Sequence, residues 1–174
     1  MLRLKTLLVL ALMIPGLPNL FFTRSSGSNP RPEGAVVSYE YSYSNTMMYP
    51  VTFYRVDRDS TGTVRISWSK DNEPDITVIR GPEDLLEKIG AIAAAHKLHR
   101  LKNSYWPRME ILDGHGWHMY LRYAKNSTSS GGSNAWPPEK LLNGISSING
   151  CLRGLIDAST EADVIGHDSH ADRH

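Results

Sequence analysis

His115 and His118 come closest in this chain to the side-chain types and spacing of a catalytic or metal-binding pair. They follow the dipeptide Asp113-Gly114, so one carboxylate and two imidazoles lie within a short stretch of sequence. Neutral imidazole is a frequent zinc ligand, and imidazole and carboxylate groups also act as general acids and bases. This stretch therefore supports one hypothesis of function, a metal-dependent or general acid/base hydrolase that uses the Asp113–His118 turn.

The residue pattern that follows argues against a shared metal ion. From Trp117 to Tyr123, apolar and polar residues alternate, which is typical of a strand with one buried face. Side chains three positions apart on a strand point to opposite faces, so His115 and His118 cannot share a metal ion unless Gly116 forms a bulge. We therefore interpret His115 as a turn residue and His118 as a solvent-facing residue, and we predict no catalytic residue.

Two further groups of histidines have spacings that can hold a metal ion. His96 and His99 lie three positions apart in a predicted helix, while His167, His170 and His174 form an H-x-x-H-x-x-x-H pattern near the C-terminus. The helical pair has no evident third ligand, and no packed shell would orient the three tail imidazoles. We interpret the pair as structural and the tail as solvated, and we expect no bound metal and no cofactor.

The run S-S-G-G-S-N at residues 129–134 invites comparison with a nucleophile or an anion-binding loop. It lacks the strand–turn–helix context of the G-x-S-x-G motif and the lysine of a phosphate-binding loop. We therefore interpret this run as a flexible loop or a short edge strand.

Five aromatic residues could form a stacking platform for sugar rings. Aromatic side chains at strand spacing are more often part of a hydrophobic core, and we favour that interpretation. The five residues are Tyr39, Tyr41, Tyr43, Trp117 and Trp136.

The elements that position these residues follow from hydrophobic periodicity. Strands are predicted at residues 37–44, 49–57, 64–69, 75–80, 109–112 and 117–123. Helices are predicted from Pro82 to about Leu101 and from Pro138 to Asp157, because apolar residues recur there at helical spacing and proline favours the first helical turn. Hairpins combined with two helices predict an α+β fold, an antiparallel sheet of about five to six strands with both helices packed on one face.

The first residues of the chain have the composition of an export signal. Arg3 and Lys5 precede an apolar run from Thr6 to Ile14, which is typical of a secretory signal peptide. The alternatives are an uncleaved anchor that extends to Phe22 and an ordinary buried element. We predict a signal peptide or anchor at residues 1–23, a linker at 24–35, a single α+β domain at 36–157 and a polar, disordered tail at 158–174, with cleavage somewhere in 23–28.

Charge and cysteine content exclude several classes of protein. The formal net charge of the 174 residues is +1, and a nucleic-acid-binding protein needs a clustered basic surface. Cys151 is the only cysteine, so the chain forms no internal disulfide and no cysteine-based zinc site.

Two motifs resemble a family of small exported, often lipoprotein-like proteins of gut bacteria. They are M-E-I-L-D-G-H-G-W-H-M-Y-L-R-Y-A and S-S-G-G-S-N-A-W-P-P, and the order of elements is similar over roughly residues 37–156. This chain lacks the lipid-attachment cysteine that many of the similar proteins carry after the signal. The resemblance implies the fold and export to the periplasm, cell envelope or cell exterior, and it implies no particular chemistry.

The sequence as a whole favours a small exported protein that binds a ligand or a protein partner and has no catalytic activity. The hydrolase that uses Asp113, His115 and His118 is the alternative. We expect no nucleic-acid partner, and we expect membrane contact only through the N-terminal segment if it remains uncleaved. Trp117 and Trp136 are expected to stabilise the fold and not to hold a ligand.

Overall fold

The alternation of tyrosine and serine between residues 36 and 45 produces the central strand of the protein. The computed structural model describes residues 23–45, 49–109 and 114–170. Nine strands and two α-helices occur there: β1 Thr23–Ser26, β2 Val36–Asn45, β3 Thr52–Arg58, β4 Val64–Lys70, β5 Asp75–Arg80, α1 Leu85–His96, β6 Ser104–Pro107, β7 His115–Tyr123, β8 Ser127–Ser133, α2 Glu139–Ala158 and β9 Val164–Ser169. Two short 3-10 helices lie at Leu98–Arg100 and Glu161–Asp163.

All nine strands form one sheet in the order β1-β6-β8-β7-β2-β3-β4-β5-β9. Neighbouring strands are antiparallel except for β6 and β8, which are parallel. The predicted α+β class is confirmed. The predicted size of five to six strands is too small, because β1, β6, β8 and β9 arise from segments without a strand-like hydrophobic pattern.

The hydrophobic core lies between the sheet and the two helices. Tyr39 of β2, Met119 of β7 and Ile148 of α2 are fully buried in it. The hydroxyl of Tyr39 donates a hydrogen bond of 2.7 Å to Oδ1 of Asn149, which joins the central strand to α2. Burial raises the pKa of Tyr39 well above its ordinary value, so the hydroxyl keeps the proton that it donates.

The first helix is shorter than its apolar pattern predicts. It ends at His96, because Lys97 adopts a left-handed conformation with φ of 57°, and a short 3-10 helix follows. Gly144 of α2 lies directly against His96 and Leu98, and a Cβ atom there would come within 2.6 Å of Cβ of His96. The close approach of the two helices therefore requires glycine at position 144.

The serine- and glycine-rich segment forms an interior strand, so the predicted loop or edge strand is wrong. Strand β8 pairs with β7 on one side and with β6 on the other. Thr128 and Ser130 are fully buried in it. A Cβ atom at Gly132 would collide with the indole of Trp117 and the carbonyl oxygen of Ala135. Small residues are thus needed here because a large aromatic ring occupies the space above the strand.

Both ends of the described chain also form strands that the sequence pattern did not predict. The predicted disordered tail is wrong for Val164–Ser169, which pairs with β5 as strand β9. A capping box between Thr160 and Asp163 begins the preceding 3-10 helix. Thr23–Ser26, which spans the boundary between the predicted signal peptide or anchor and the predicted linker, pairs with β6 as strand β1.

Several predictions concern residues outside the described part of the chain. The signal peptide or anchor falls almost entirely on residues 1–22, and the predicted strand at 109–112 falls mostly on residues 110–113, which also include Asp113. Met109 is described and belongs to a bend. Among the described residues, no helix has the length and apolar character needed to cross a membrane.

Candidate ligand-binding face

The sheet face opposite the helices, here called the open face, is polar across its central strands. Alternate residues of a strand point to opposite faces, so the neighbours of the core residues project to this side. The members from β2, β3, β4 and β7 are Ser38, Glu40, Ser42, Arg55, Asp57, Arg65, Ser67, His118, Tyr120 and Arg122. At one end of this face, the ring of His170 packs against Phe53 and stacks on Tyr49.

Asp57 binds two arginine side chains at the middle of the open face. Its Oδ2 accepts a hydrogen bond of 2.8 Å from Nε of Arg55. Its Oδ1 accepts bonds of 3.1 Å and 2.9 Å from Nε and Nη2 of Arg65, which lies directly opposite on β4. The carboxylate is only 12% exposed, whereas the two arginine side chains are 41% and 38% exposed. One acid therefore orients two cations and neutralises one of them.

A partly enclosed groove of about 510 Å³ extends from this cluster towards β5 and β9. Arg80, His167 and Asp168 are among its lining residues. Arg80 lies directly opposite Arg65 in the strand register, so two like charges are cross-strand neighbours. Such pairs destabilise a sheet unless an opposite charge lies close by.

The β3–β4 turn closes one end of the groove. Oδ1 of Asp59 accepts hydrogen bonds from the hydroxyl and backbone N–H of Thr61 and from the backbone N–H of Thr63. The Thr61 hydroxyl is the main cause of a lowered pKa at Asp59, which therefore stays ionised. The hydrogen bonds that Asp59 accepts therefore lie within its own turn.

A second groove, of about 640 Å³, extends from the same cluster towards β2 and β7. Tyr120, Arg122 and Glu40 line it, and the two grooves share Arg55, Asp57, Asp59 and Arg65. We refer to the two together as the open-face groove. Within residues 23–45, 49–109 and 114–170, neither Arg80 nor Arg122 takes part in an ion pair.

The two histidines of β7 are separated by the sheet. Nδ1 of His115 lies 2.7 Å from the hydroxyl of Tyr43, whose ring packs on the core side. Nε2 of His118 lies 3.3 Å from Oγ of Ser129 on the open face. In the part of the chain that the structure describes, no three His, Cys, Asp or Glu residues come together as a metal site would require.

The remaining candidate histidines have separate environments. His96 donates from Nδ1 to the carbonyl oxygen of Lys140 at 3.2 Å. Burial, together with nearby positive charges of which Arg100 is the first, lowers the pKa of His99. Nε2 of His170 lies 2.8 Å from Oγ of Ser69, so this tail histidine is packed against the sheet and the predicted solvated tail is wrong for it. His174 lies outside the described residues.

Three of the five candidate aromatic residues, Tyr43, Trp117 and Trp136, form a column of stacked rings at one end of the sheet. Trp117 is buried, donates from Nε1 to the carbonyl oxygen of Ala135 at 2.8 Å, and stacks on Trp136 with ring centres 5.8 Å apart. Trp136 also stacks against Tyr43. Although Trp136 is 39% exposed, its two ring contacts attach the segment before α2 to the sheet.

The arginines of the open-face groove were not recognised as candidates from the sequence. Arg55 and Asp57 occupy alternate positions of one predicted strand, and Arg65 occupies an alternate position of the next. This alternation was the available signal, because it places all three side chains on one face. Their mutual contact depends on strand register, which the pattern alone does not define.

Comparison of the chain with protein-family models, with curated proteins and with solved structures found no match.

Proposed function

We propose that this protein is an exported binding protein without catalytic activity, and that its open-face groove binds an extended acidic polysaccharide. The observation that carries the proposal is the arrangement of Arg65, Arg80 and Arg122 on the sheet face opposite the helices, two of them without an acidic partner among the described residues. Export rests on the composition of residues 1–22 and on the resemblance to small exported proteins.

The hydrogen-bonding capacity of the groove favours an anionic ligand. A guanidinium group has five N–H donors, of which Arg55 uses one and Arg65 uses two on Asp57. The oxygens of Asp57 are already occupied by these arginines. The groove therefore has donors left over, and planar guanidinium groups bind carboxylates through pairs of hydrogen bonds.

The shape of the groove favours a polymer over a small molecule. Sites for small molecules are concave and enclose most of the ligand surface. The open-face groove is only partly enclosed and crosses several strands, so it can contact successive units of a chain. Tyr120 is half-buried beside Arg122 and offers a ring face on which a sugar unit can stack.

Calorimetric titration of the full chain with polygalacturonate, which carries one carboxylate per sugar, tests the proposal. Dextran serves as the uncharged polymer. We expect binding to polygalacturonate only, and Arg122→Gln or Arg80→Gln should each weaken it by about tenfold, because a hydrogen bond to a charged group contributes about 1.5–3 kcal/mol.

The matched control is Arg153→Gln, since Arg153 is exposed on α2, on the other side of the sheet. This variant should bind polygalacturonate like the wild type. Equal binding of dextran, no binding of either polymer, or an equal loss in Arg153→Gln would contradict the proposal.

The hydrolase alternative has less support. His115 and His118 lie on opposite faces of β7, with different partners, so they cannot act on one substrate atom.

A further inference from the structure

The chain enters the described domain beside an exposed apolar corner. Thr23, the first residue of β1, pairs in register with Pro107 at the end of β6. Trp106 is 43% exposed and Met109 is 74% exposed. Residues 106–109, here called the β6 corner, therefore lie beside Thr23, the first residue that the structure describes.

This concentration of exposed apolar side chains is distinctive within the described residues. Four large apolar side chains are exposed there, namely Trp106, Met109, Trp136 and Ile165. Trp136 belongs to the aromatic column, and Ile165 lies on β9 at the far edge of the sheet. The other two are neighbours at the β6 corner. Neither the indole of Trp106 nor the thioether of Met109 contributes to the core. Trp106 projects to the side of β6 opposite buried Tyr105, and Met109 is exposed.

The chemistry of the corner matches the boundary of a lipid bilayer. Tryptophan is enriched at membrane interfaces because its ring is apolar and its N–H is polar. Arg108, exposed between Trp106 and Met109, can extend its charged end towards a phosphate headgroup while its methylene groups stay near apolar surface. The segment that leads into β1, residues 6–22, is mostly apolar and is preceded by Arg3 and Lys5.

We propose that the β6 corner rests on the surface of an anionic lipid bilayer in the chain that carries residues 1–22. Lipid is chosen as the occupant because Thr23, the residue that follows the apolar segment in the sequence, pairs with Pro107 at this corner. The corner lies at the β1 edge of the sheet, whereas the open-face groove spans β7 to β9.

An environment-sensitive fluorophore placed on the full-length chain tests this proposal. Cys151→Ser removes the native thiol, and Met109→Cys then provides a single site for a nitrobenzoxadiazole label. Ile165→Cys in the same background is the matched control, since Ile165 is 41% exposed at the opposite edge. The probe surface is a vesicle of phosphatidylethanolamine and phosphatidylglycerol, with and without doxyl-labelled lipid.

We expect the label at position 109 to shift its emission to the blue on addition of vesicles and to be quenched by doxyl lipid, while the label at 165 stays unchanged. An unchanged label at 109, or equal changes at both sites, would overturn the proposal. A label at 109 that is already blue-shifted without vesicles would also overturn it, because the N-terminal segment would then cover the corner within the protein itself.

A second variant pair measures the contribution of the native side chain. In the full chain, Trp106→Ser should lower the quenching of the label at 109 relative to Ile165→Ser. Equal quenching in the two variants would show that the N-terminal apolar segment alone brings the corner to the bilayer, with no contribution from Trp106. That result would also overturn the proposal.

Discussion

At the scale of single residues, Trp117 joins the sheet to the start of α2. Its indole N–H donates to the carbonyl oxygen of Ala135, its ring stacks on Trp136, and it also contacts the ring of Tyr105. Gly132 beneath it provides the space that the indole occupies. A buried ring with both a packing role and a satisfied N–H stabilises a fold more than a partly exposed ring does.

Truncation of the two tryptophans should therefore have unequal effects on stability. Trp117→Ala should lower the free energy of unfolding by about 3–5 kcal/mol, because it removes a buried aromatic side chain. Trp136→Ala should lower it by less, since Trp136 is 39% exposed. Urea unfolding followed by circular dichroism measures both.

Trp106→Ala is the control for these variants, because Trp106 is exposed and lies outside the core; it should change stability by no more than about 0.5 kcal/mol. A Trp117→Ala protein that unfolds at the wild-type urea concentration would contradict the structural role. It would also leave the aromatic column free to be considered as a binding surface.

At the scale of elements, the two edge strands come from the ends of the described chain. Strand β1 covers the edge of β6, and β9 covers the edge of β5. Unpaired sheet edges offer backbone groups to other chains, so short terminal strands protect against edge-to-edge association. Ser26 adds a contact of 3.1 Å between its Oγ and that of Ser104.

This pairing makes a prediction about processing at the N-terminus. Cleavage inside Thr23–Ser26 would remove β1 and expose β6, so we expect the exported protein to begin at or before Thr23. Mass spectrometry of the protein purified from its native host identifies the first residue. A mature N-terminus after Ser26 would show that β1 is dispensable, and intact Met1 in the soluble cytoplasmic fraction would contradict export itself.

At the scale of the whole molecule, the two helices cover one face of the sheet, and several tyrosines lie in or against the core beneath them. Burial is the largest cause that raises the pKa of Tyr41 to about 12, and neighbouring Tyr43 contributes next. Burial also raises the pKa of Tyr39, which lies on the same strand and face. The neutral hydroxyl is thus favoured in the folded state.

The protein should consequently lose stability at alkaline pH. The ordinary pKa of tyrosine is 10.0, and the pKa of Tyr41 in the folded protein is about 12. Between these two pH values, the unfolded chain releases the Tyr41 proton while the folded protein retains it. The contribution of this residue is fully present below pH 10.0 and is lost as the pH rises through that window. Urea unfolding at a series of pH values should show this decline, and Tyr41→Phe should make it shallower. An identical pH dependence in the variant would contradict the assignment to Tyr41.

The sequence by itself determined the segments in which hydrophobic periodicity is strong. Strands β2 to β5 and β7 and both helices follow from alternation or helical repeats, because side-chain burial imposes those periods directly on the sequence. The same alternation placed His115 and His118 on opposite sides of β7, as found. These features depend on local geometry alone.

Tertiary structure decided the features that depend on contacts between distant segments. Strand β8 has no apolar pattern, and it is interior because its small residues fit beneath Trp117. The Asp57 cluster required the register of β3 against β4, and the close contact of α2 with His96 required glycine at position 144. Register and close approach arise from the whole fold, since they are set by which surfaces pack together and not by the period of any single segment.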